Sequence, residues 1–123
     1  MTINQRNKGA SYEREMVNLL KTNGFVAKRN LDQTRDGGGD ILVPPYLFEC
    51  KRYAKIAVYS WLEQAEEAAE KIDGETIPIV FAKADRKPSI AILNMVDFMD
   101  ILKDAELYRR FEREAQKVEK ENH

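Results

Sequence analysis

Histidine and cysteine are almost missing from this 123-residue chain: His123 and Cys50 are the only ones. One cysteine excludes an intramolecular disulfide and a cysteine-built zinc site. With the one histidine at the last position, acid–base chemistry falls to carboxylates, Lys, Tyr or a metal-bound water. No apolar run approaches the ~20 residues of a membrane span. Met1–Lys8 is polar and basic, without the apolar stretch of a secretory signal. A cytoplasmic chain with no membrane partner is therefore expected. Repeats, low-complexity tracts and interdomain linkers are absent too, and the length suits one domain with one core.

Charge is abundant and unevenly placed. Residues 1–60 hold 10 Lys+Arg against 6 Asp+Glu, a net +4, and residues 61–123 hold 10 against 15, a net −5. The total of −1 argues weakly against a nucleic-acid partner, but a basic half can still attract phosphate, because the local field outweighs net charge.

The richest stretch lies in that basic half: Gly37-Gly38-Gly39-Asp40, an apolar run, then Phe48-Glu49-Cys50-Lys51. If 41–43 and 47–51 are paired strands bending at Pro44-Pro45, Asp40 falls opposite Glu49. Strand side chains alternate, so Glu49 and Lys51 share a face. Two close carboxylates repel unless a cation lies between them, and such oxygen donors suit Mg²⁺ or Mn²⁺ rather than zinc. A Lys beside them can activate water or stabilise negative charge. The pattern points to metal-assisted phosphodiester hydrolysis. Glu-x-Lys also occurs on many solvated strand faces. Here Leu47, Phe48 and Cys50 mark a buried strand, where charges need a reason to exist, and the glycines leave room for close approach of a backbone or phosphate. Cys50 itself reads as a small buried hydrophobe.

Along the chain, residues 1–8 are expected as a flexible basic arm. A helix is expected over 9–23, with Tyr12, Met16, Leu19 and Leu20 as its apolar face and Gly24 as its stop. Glu13 and Glu15 would lie in its first turns, where they complement the dipole. A strand over 25–29, a loop over 30–39 and the hairpin over 40–52 follow. A helix over 60–72 carries a Ser60/Glu63 capping box and an apolar stripe of Trp61, Leu62, Ala65, Ala68, Ala69 and Ile72. Trp61 reads as core rather than a base-stacking platform, and Gln64 as surface or a supporting polar contact. Strands over 76–82 and 89–94 flank a charged turn, Ala84–Pro88, with Pro78 marking a strand end or edge. A short helix over 97–102 and a charged helix over 105–123 end the chain. The order α-β-β-β-α-β-β-α predicts an α/β fold, one mixed central sheet flanked by helices.

Lys8-Gly9-Ala10-Ser11-Tyr12-Glu13-Arg14-Glu15, then Gly39-Asp40, then Glu49-Cys50-Lys51 resembles the archaeal-type Holliday junction resolvases, members of the PD-(D/E)xK nuclease superfamily. The resemblance covers residues 6–70 and the element order to about residue 100. It implies a restriction-endonuclease-like core and a Mg²⁺-dependent endonuclease, Mn²⁺ substituting, that acts on branched or duplex DNA. It implies Glu13, Asp40, Glu49 and Lys51 as catalytic residues. Asp40, Glu49 and the Cys50 carbonyl would hold the metal, with Glu13 a further ligand candidate. From the residues alone, Glu13 could equally be a solvated helix charge. Arg14 and Arg29 match basic family positions, and Arg6, Lys8, Arg35 and Arg52 join them as candidate phosphate contacts. A twofold-symmetric junction cut twice implies a C2 homodimer, with its contact on the 76–82 and 89–94 strands or the 97–102 helix. There are departures: Gly39 replaces the superfamily's Pro, the loop Leu31–Gly39 is longer, and the helix from Ala105 has no counterpart. Arg35–Asp40 is also similar to small phage- or prophage-encoded nucleases of the superfamily, which would place the protein in a host cytoplasm. Two other readings stand beside resolution: a nicking, repair or restriction-like nuclease of the same superfamily, and a non-catalytic DNA-binding accessory protein.

Overall fold

The computed structural model describes residues 3–30 and 40–122, with side chains described from Asn7 onward. The chain divides into two compact units, Met1–Leu93 and Asn94–His123. The first holds α1 (Ile3–Thr22), β1 (Ile41–Val43), β2 (Tyr46–Arg52), α2 (Val58–Glu70), β3 (Ile77–Lys83) and β4 (Ile90–Ile92). The second is built on α3 (Met95–Glu121).

The α1 helix buries Tyr12, Met16, Val17 and Leu20. Val17 takes the core place expected of Leu19, which is half exposed. The helix ends as expected at Gly24, whose φ of 91° few other residues tolerate. Phe25 N–H donates to the Leu20 carbonyl at 3.0 Å and Gly24 N–H to that of Lys21 at 3.0 Å, the paired bonds of a Schellman cap. Its start differs from expectation. The helix begins at Ile3, so residues 3–8 of the expected arm are helical, and Glu13 and Glu15 lie mid-helix. The dipole acts within the first turn only, so it gives Glu13 no reason to be there.

The expected strand over 25–29 is reduced to one bridge, Arg29 with Ile41. Of its apolar residues only the small Ala27 is buried, while Val26 is 95% exposed and Phe25 45%, so little apolar area holds this segment to the sheet. The observed order is therefore α-β-β-α-β-β-α. The expected loop over 31–39 lies outside the described residues.

The four strands run in the order β1-β2-β3-β4. The β1/β2 and β3/β4 pairs are antiparallel and β2/β3 is parallel, so the sheet is mixed, as expected. The β1/β2 hairpin turns at Pro44-Pro45. The parallel pair needs a crossover, and α2 supplies it. Asp73 leads the chain back into the sheet, accepting from the Glu75 and Thr76 N–H groups at 2.9 and 2.6 Å. Pro78 sits at the start of β3, before β4 begins to pair.

One face of the sheet packs on α2. Trp61 and Ala65 meet Val80 and Ala82, and Ala68 and Ala69 meet Leu47. The three alanines let helix and strands approach closely. Trp61 is core, and Gln64 points to solvent. The expected capping box is not formed: α2 starts two residues earlier, and the Ser60 hydroxyl donates to the Ala57 carbonyl at 3.4 Å.

In the second unit, the two expected terminal helices are one continuous helix of 27 residues. Lys103 and Asp104 carry no helix-breaking chemistry, so nothing interrupts it. Asn94 caps its start by accepting from the Val96 N–H at 2.8 Å. Among the described residues no helix is long and apolar enough to cross a membrane.

Candidate active site

The hairpin register pairs Ile41 with Phe48, so the next step along both strands sets Asp40 against Glu49. Asp40 N–H donates to the Phe48 carbonyl at 3.0 Å, and the Asp40 carbonyl accepts from Asn30 N–H at 2.6 Å. The side chain is held as well: Oδ2 accepts from the Cys50 N–H at 2.7 Å. Asp40 is 8% exposed and is the buried charged residue of the described chain. Glu49 and Lys51 lie on the face of β2 that Leu47 presents to α2. Lys51 Nζ stands 3.7 Å from Glu49 Oε1, with both side chains under one-fifth exposed.

Two half-desolvated carboxylates so placed resist ionising together. Burial pushes the Asp40 carboxyl up to about 7, and the Glu49 charge adds to the rise. Burial also raises Glu49, against the pull of the Lys51 ammonium. The Cys50 thiol, half-buried rather than core, is raised by desolvation and by the three neighbouring carboxylates, so it stays a neutral thiol.

Glu13 approaches from α1 and raises both carboxyls slightly through its charge. Its Oε2 accepts from Arg29 Nε at 2.8 Å. The lone bridge with Ile41 holds Arg29 beside β1, so the residual strand still positions this pair. Among the described residues no three acidic, His or Cys side chains form a metal cluster. The donor set nevertheless fits a hard divalent cation: two carboxylates whose mutual repulsion such a charge would relieve.

The expected phosphate contacts fall into three groups. Arg14 is exposed on α1. Arg29, Arg52 and Lys8 each have an acidic partner: Arg29 has Glu13, and Arg52 and Lys8 share Asp85 at 2.6 and 3.6 Å. Arg6 lies in α1 with its side chain outside the described residues, and Arg35 lies outside them entirely. Sequence reasoning missed Asp85, which it saw only as part of a charged turn. It also missed Ser89, which accepts from the Tyr12 hydroxyl at 3.1 Å. Asn7, Lys8, Ser11, Tyr12, Glu15 and Arg52 line a recess beside that bond.

The raised Asp40 carboxyl has a measurable consequence. An unfolded Asp ionises near 3.8 and folded Asp40 near 7, so between these values the folded state holds the extra proton. Stability at this residue thus falls as pH rises through that window, and the penalty is complete above it. Asp40→Asn keeps an oxygen for the Cys50 N–H and removes the charge. Without metal, it is expected to stabilise the protein on the order of 2 kcal/mol above pH ~7.5, several degrees in midpoint, and to change little near pH ~4. Thermal unfolding of the two proteins at both pH values checks this. A variant less stable than wild type at the higher pH would contradict it.

The first unit, a mixed sheet of four strands with α1 and α2 that bears Asp40, Glu49 and Lys51 on its β1/β2 hairpin, is an α/β fold consistent with the restriction-endonuclease-like one. The chain belongs to the family described as phage putative PDDEXK endonuclease, whose profile matches residues 4–123. It is thus a nuclease of the PD-(D/E)xK type, from a family of phage proteins, and a nuclease of this type works on DNA with a divalent metal. No curated protein matches the chain.

Proposed function

We propose that this protein is a Mg²⁺-dependent DNA endonuclease whose substrate is a branched duplex such as a four-way junction. The carrying observation is the Asp40–Glu49 carboxylate pair, buried and raised, with Lys51 3.7 Å from Glu49. Asp40, Glu49 and the Cys50 carbonyl would hold Mg²⁺, with Mn²⁺ able to replace it. When bound, the ion supplies positive charge to the scissile phosphate and lowers the pKa of the attacking water.

The chain's own groups do the rest. The Cys50 N–H fixes one Asp40 oxygen, so that carboxylate is orientated before substrate arrives. Lys51, an ammonium paired with Glu49, would orient the attacking water or face the charge that grows on the phosphoryl oxygens. Glu13 completes the acidic side of the site, and its bond to Arg29 sets its direction. Arg14 on the surface of α1, Lys8 and Arg52 at the recess, and Arg6, Arg29 and Arg35 serve as phosphate contacts, which position DNA without reading sequence. The branched substrate rests on the resemblance over residues 6–70, while the family supports a nuclease of the PD-(D/E)xK type.

Two cuts on a twofold-symmetric substrate call for a C2 homodimer. β3 is paired on both sides, so the contact would be either the β4 edge of the first unit or, in the second unit, the exposed Phe98, Met99 and Leu102 of α3.

The test is a side-by-side incubation of full-length protein with labelled four-way junction, flap, duplex and single strand. The expected result is paired symmetric cuts in the junction with Mg²⁺ or Mn²⁺, and none with Ca²⁺ or EDTA, since Ca²⁺ prefers looser, higher coordination. Equal cleavage of linear duplex would replace junction resolution by a nicking or restriction-like activity with the same residues. Binding without cleavage of any substrate would leave a DNA-binding accessory protein.

A further inference from the structure

Asp85 stands on the turn between β3 and β4, and its Oδ1 meets two cations from two other elements. Arg52 Nη1, at the end of β2, donates to it at 2.6 Å, and Lys8 Nζ, from α1, lies 3.6 Å away. The turn is anchored by Ala84, which is buried and whose carbonyl accepts from the Lys87 N–H at 3.2 Å. Asp85 therefore leaves it from a fixed backbone. Its side chain is half-exposed, whereas that of Arg52 is only 19% exposed. The Arg52 hydrogen bond holds the Asp85 carboxyl below its ordinary range, so it is ionised at neutral pH.

The recess beside this trio is lined by Lys8 and Arg52, and also by Glu15. Two cations set against two carboxylates, Glu15 and Asp85, leave the region neutral. A phosphate entering it is a third anion unless Asp85 gives way. Asp85 is placed to do so: an ion pair made by a half-exposed carboxylate is weak and screened by salt. Arg52 is placed to stay. It is mostly buried, and its Nη1 also reaches the Lys83 carbonyl at 3.5 Å. A guanidinium takes a phosphate with the same fork geometry that it offers a carboxylate. Arg52 also follows Lys51 at the carboxyl end of β2, one strand step of about 3.3 Å further and on the opposite face. DNA that reaches Lys51 across the end of β2 passes Arg52.

We propose that Asp85 is an exchangeable counter-ion and a positioning residue for the substrate: it holds Arg52 and Lys8 in the free protein and gives them up to phosphates of the DNA backbone. It rests on the nuclease reading for the identity of that anion. The test uses full-length wild type, Asp85→Asn, Lys8→Gln/Arg52→Gln and the three changes combined, with labelled duplex in EDTA over a range of salt. Asp85→Asn is expected to bind about threefold or more tighter at low salt, because the competing charge is gone. Lys8→Gln/Arg52→Gln should flatten the plot of log K against log[salt] by about 1.8 units. In that background Asp85→Asn should bring no gain, since the cations it competes for are absent. In cleavage assays the Asp85→Asn gain should appear as a lower KM at unchanged kcat. Asp85→Glu, which keeps the charge, should bind near the wild-type affinity. Weaker binding by Asp85→Asn overturns the proposal, because the ion pairs would then only hold the turn. An equal gain in both backgrounds overturns it as well, as general repulsion by one acid, and so does an Asp85→Glu protein as tight as Asp85→Asn. If wild type binds and cleaves DNA while Asp85→Asn shows no gain, this inference alone is wrong. If wild type neither binds nor cleaves DNA, the nuclease reading falls and takes this inference with it.

Discussion

Asp40→Asn and Glu49→Gln are each expected to reduce Mg²⁺-dependent cleavage by about 10³-fold or more, a loss of roughly 4 kcal/mol of transition-state stabilisation. Each exchange removes a charged oxygen from a pair that the fold holds together at a cost. For Asp40 the cost is visible in a carboxyl raised to about 7. Asp40 is also anchored twice through its backbone and once through Oδ2, so the neutral amide should sit where the carboxylate sat. Folding is therefore expected to survive, and the metal-free Asp40→Asn protein should be the more stable one. DNA binding should be kept or strengthened, because a negative charge facing phosphate is gone. Loss of activity with gain of stability separates a functional carboxylate from a structural one. Single-turnover cleavage, anisotropy binding and thermal unfolding on the same preparations decide it. Cleavage within tenfold of wild type by either variant would mean that the site lies elsewhere.

Lys51→Ala should lower the single-turnover rate by about 10²-fold or more, with little change in DNA affinity. The side chain is under one-fifth exposed and its ammonium lies 3.7 Å from Glu49, so few alternative cations can replace it. Lys51→Arg is not expected to rescue: the planar guanidinium is bulkier and presents its donors in a fixed fork, where the site holds a compact ammonium. A pH–rate profile adds a second readout. Burial raises the Glu49 carboxyl and Lys51 opposes that rise. Without Lys51, Glu49 is protonated to higher pH, so the residual activity should shift its acid limb in the alkaline direction. An unshifted profile with a wild-type rate would remove Lys51 from the chemistry.

The pieces of the site legible in the sequence are those set by short-range geometry. A hairpin with Pro44-Pro45 at its bend and strict strand alternation places Asp40 against Glu49, and Lys51 beside Glu49. The Gly24 stop follows likewise from one residue's tolerance of positive φ. Errors arose where a local pattern depended on distant support. Phe-Val-Ala at 25–27 has strand-like composition, yet with Val26 in solvent only the Arg29 bridge forms. Ser60 and Glu63 have capping-box spacing, yet α2 starts ahead of them because it is positioned by the packing of Trp61 and Ala65 on the sheet.

By itself, then, the sequence determined the mixed α/β class and the juxtaposition of the carboxylate pair with its lysine. These depend on residue type and on spacings of a few positions. Tertiary structure decided which partner each charge would meet. It gave Arg29 to Glu13 across 16 positions and Arg52 to Asp85 across 33, and it lifted the Asp40 carboxyl by burying it against Glu49. Coulomb energy and desolvation depend on distance in space, and no local spacing encodes a contact made by packing α1 and the β3/β4 turn against one strand.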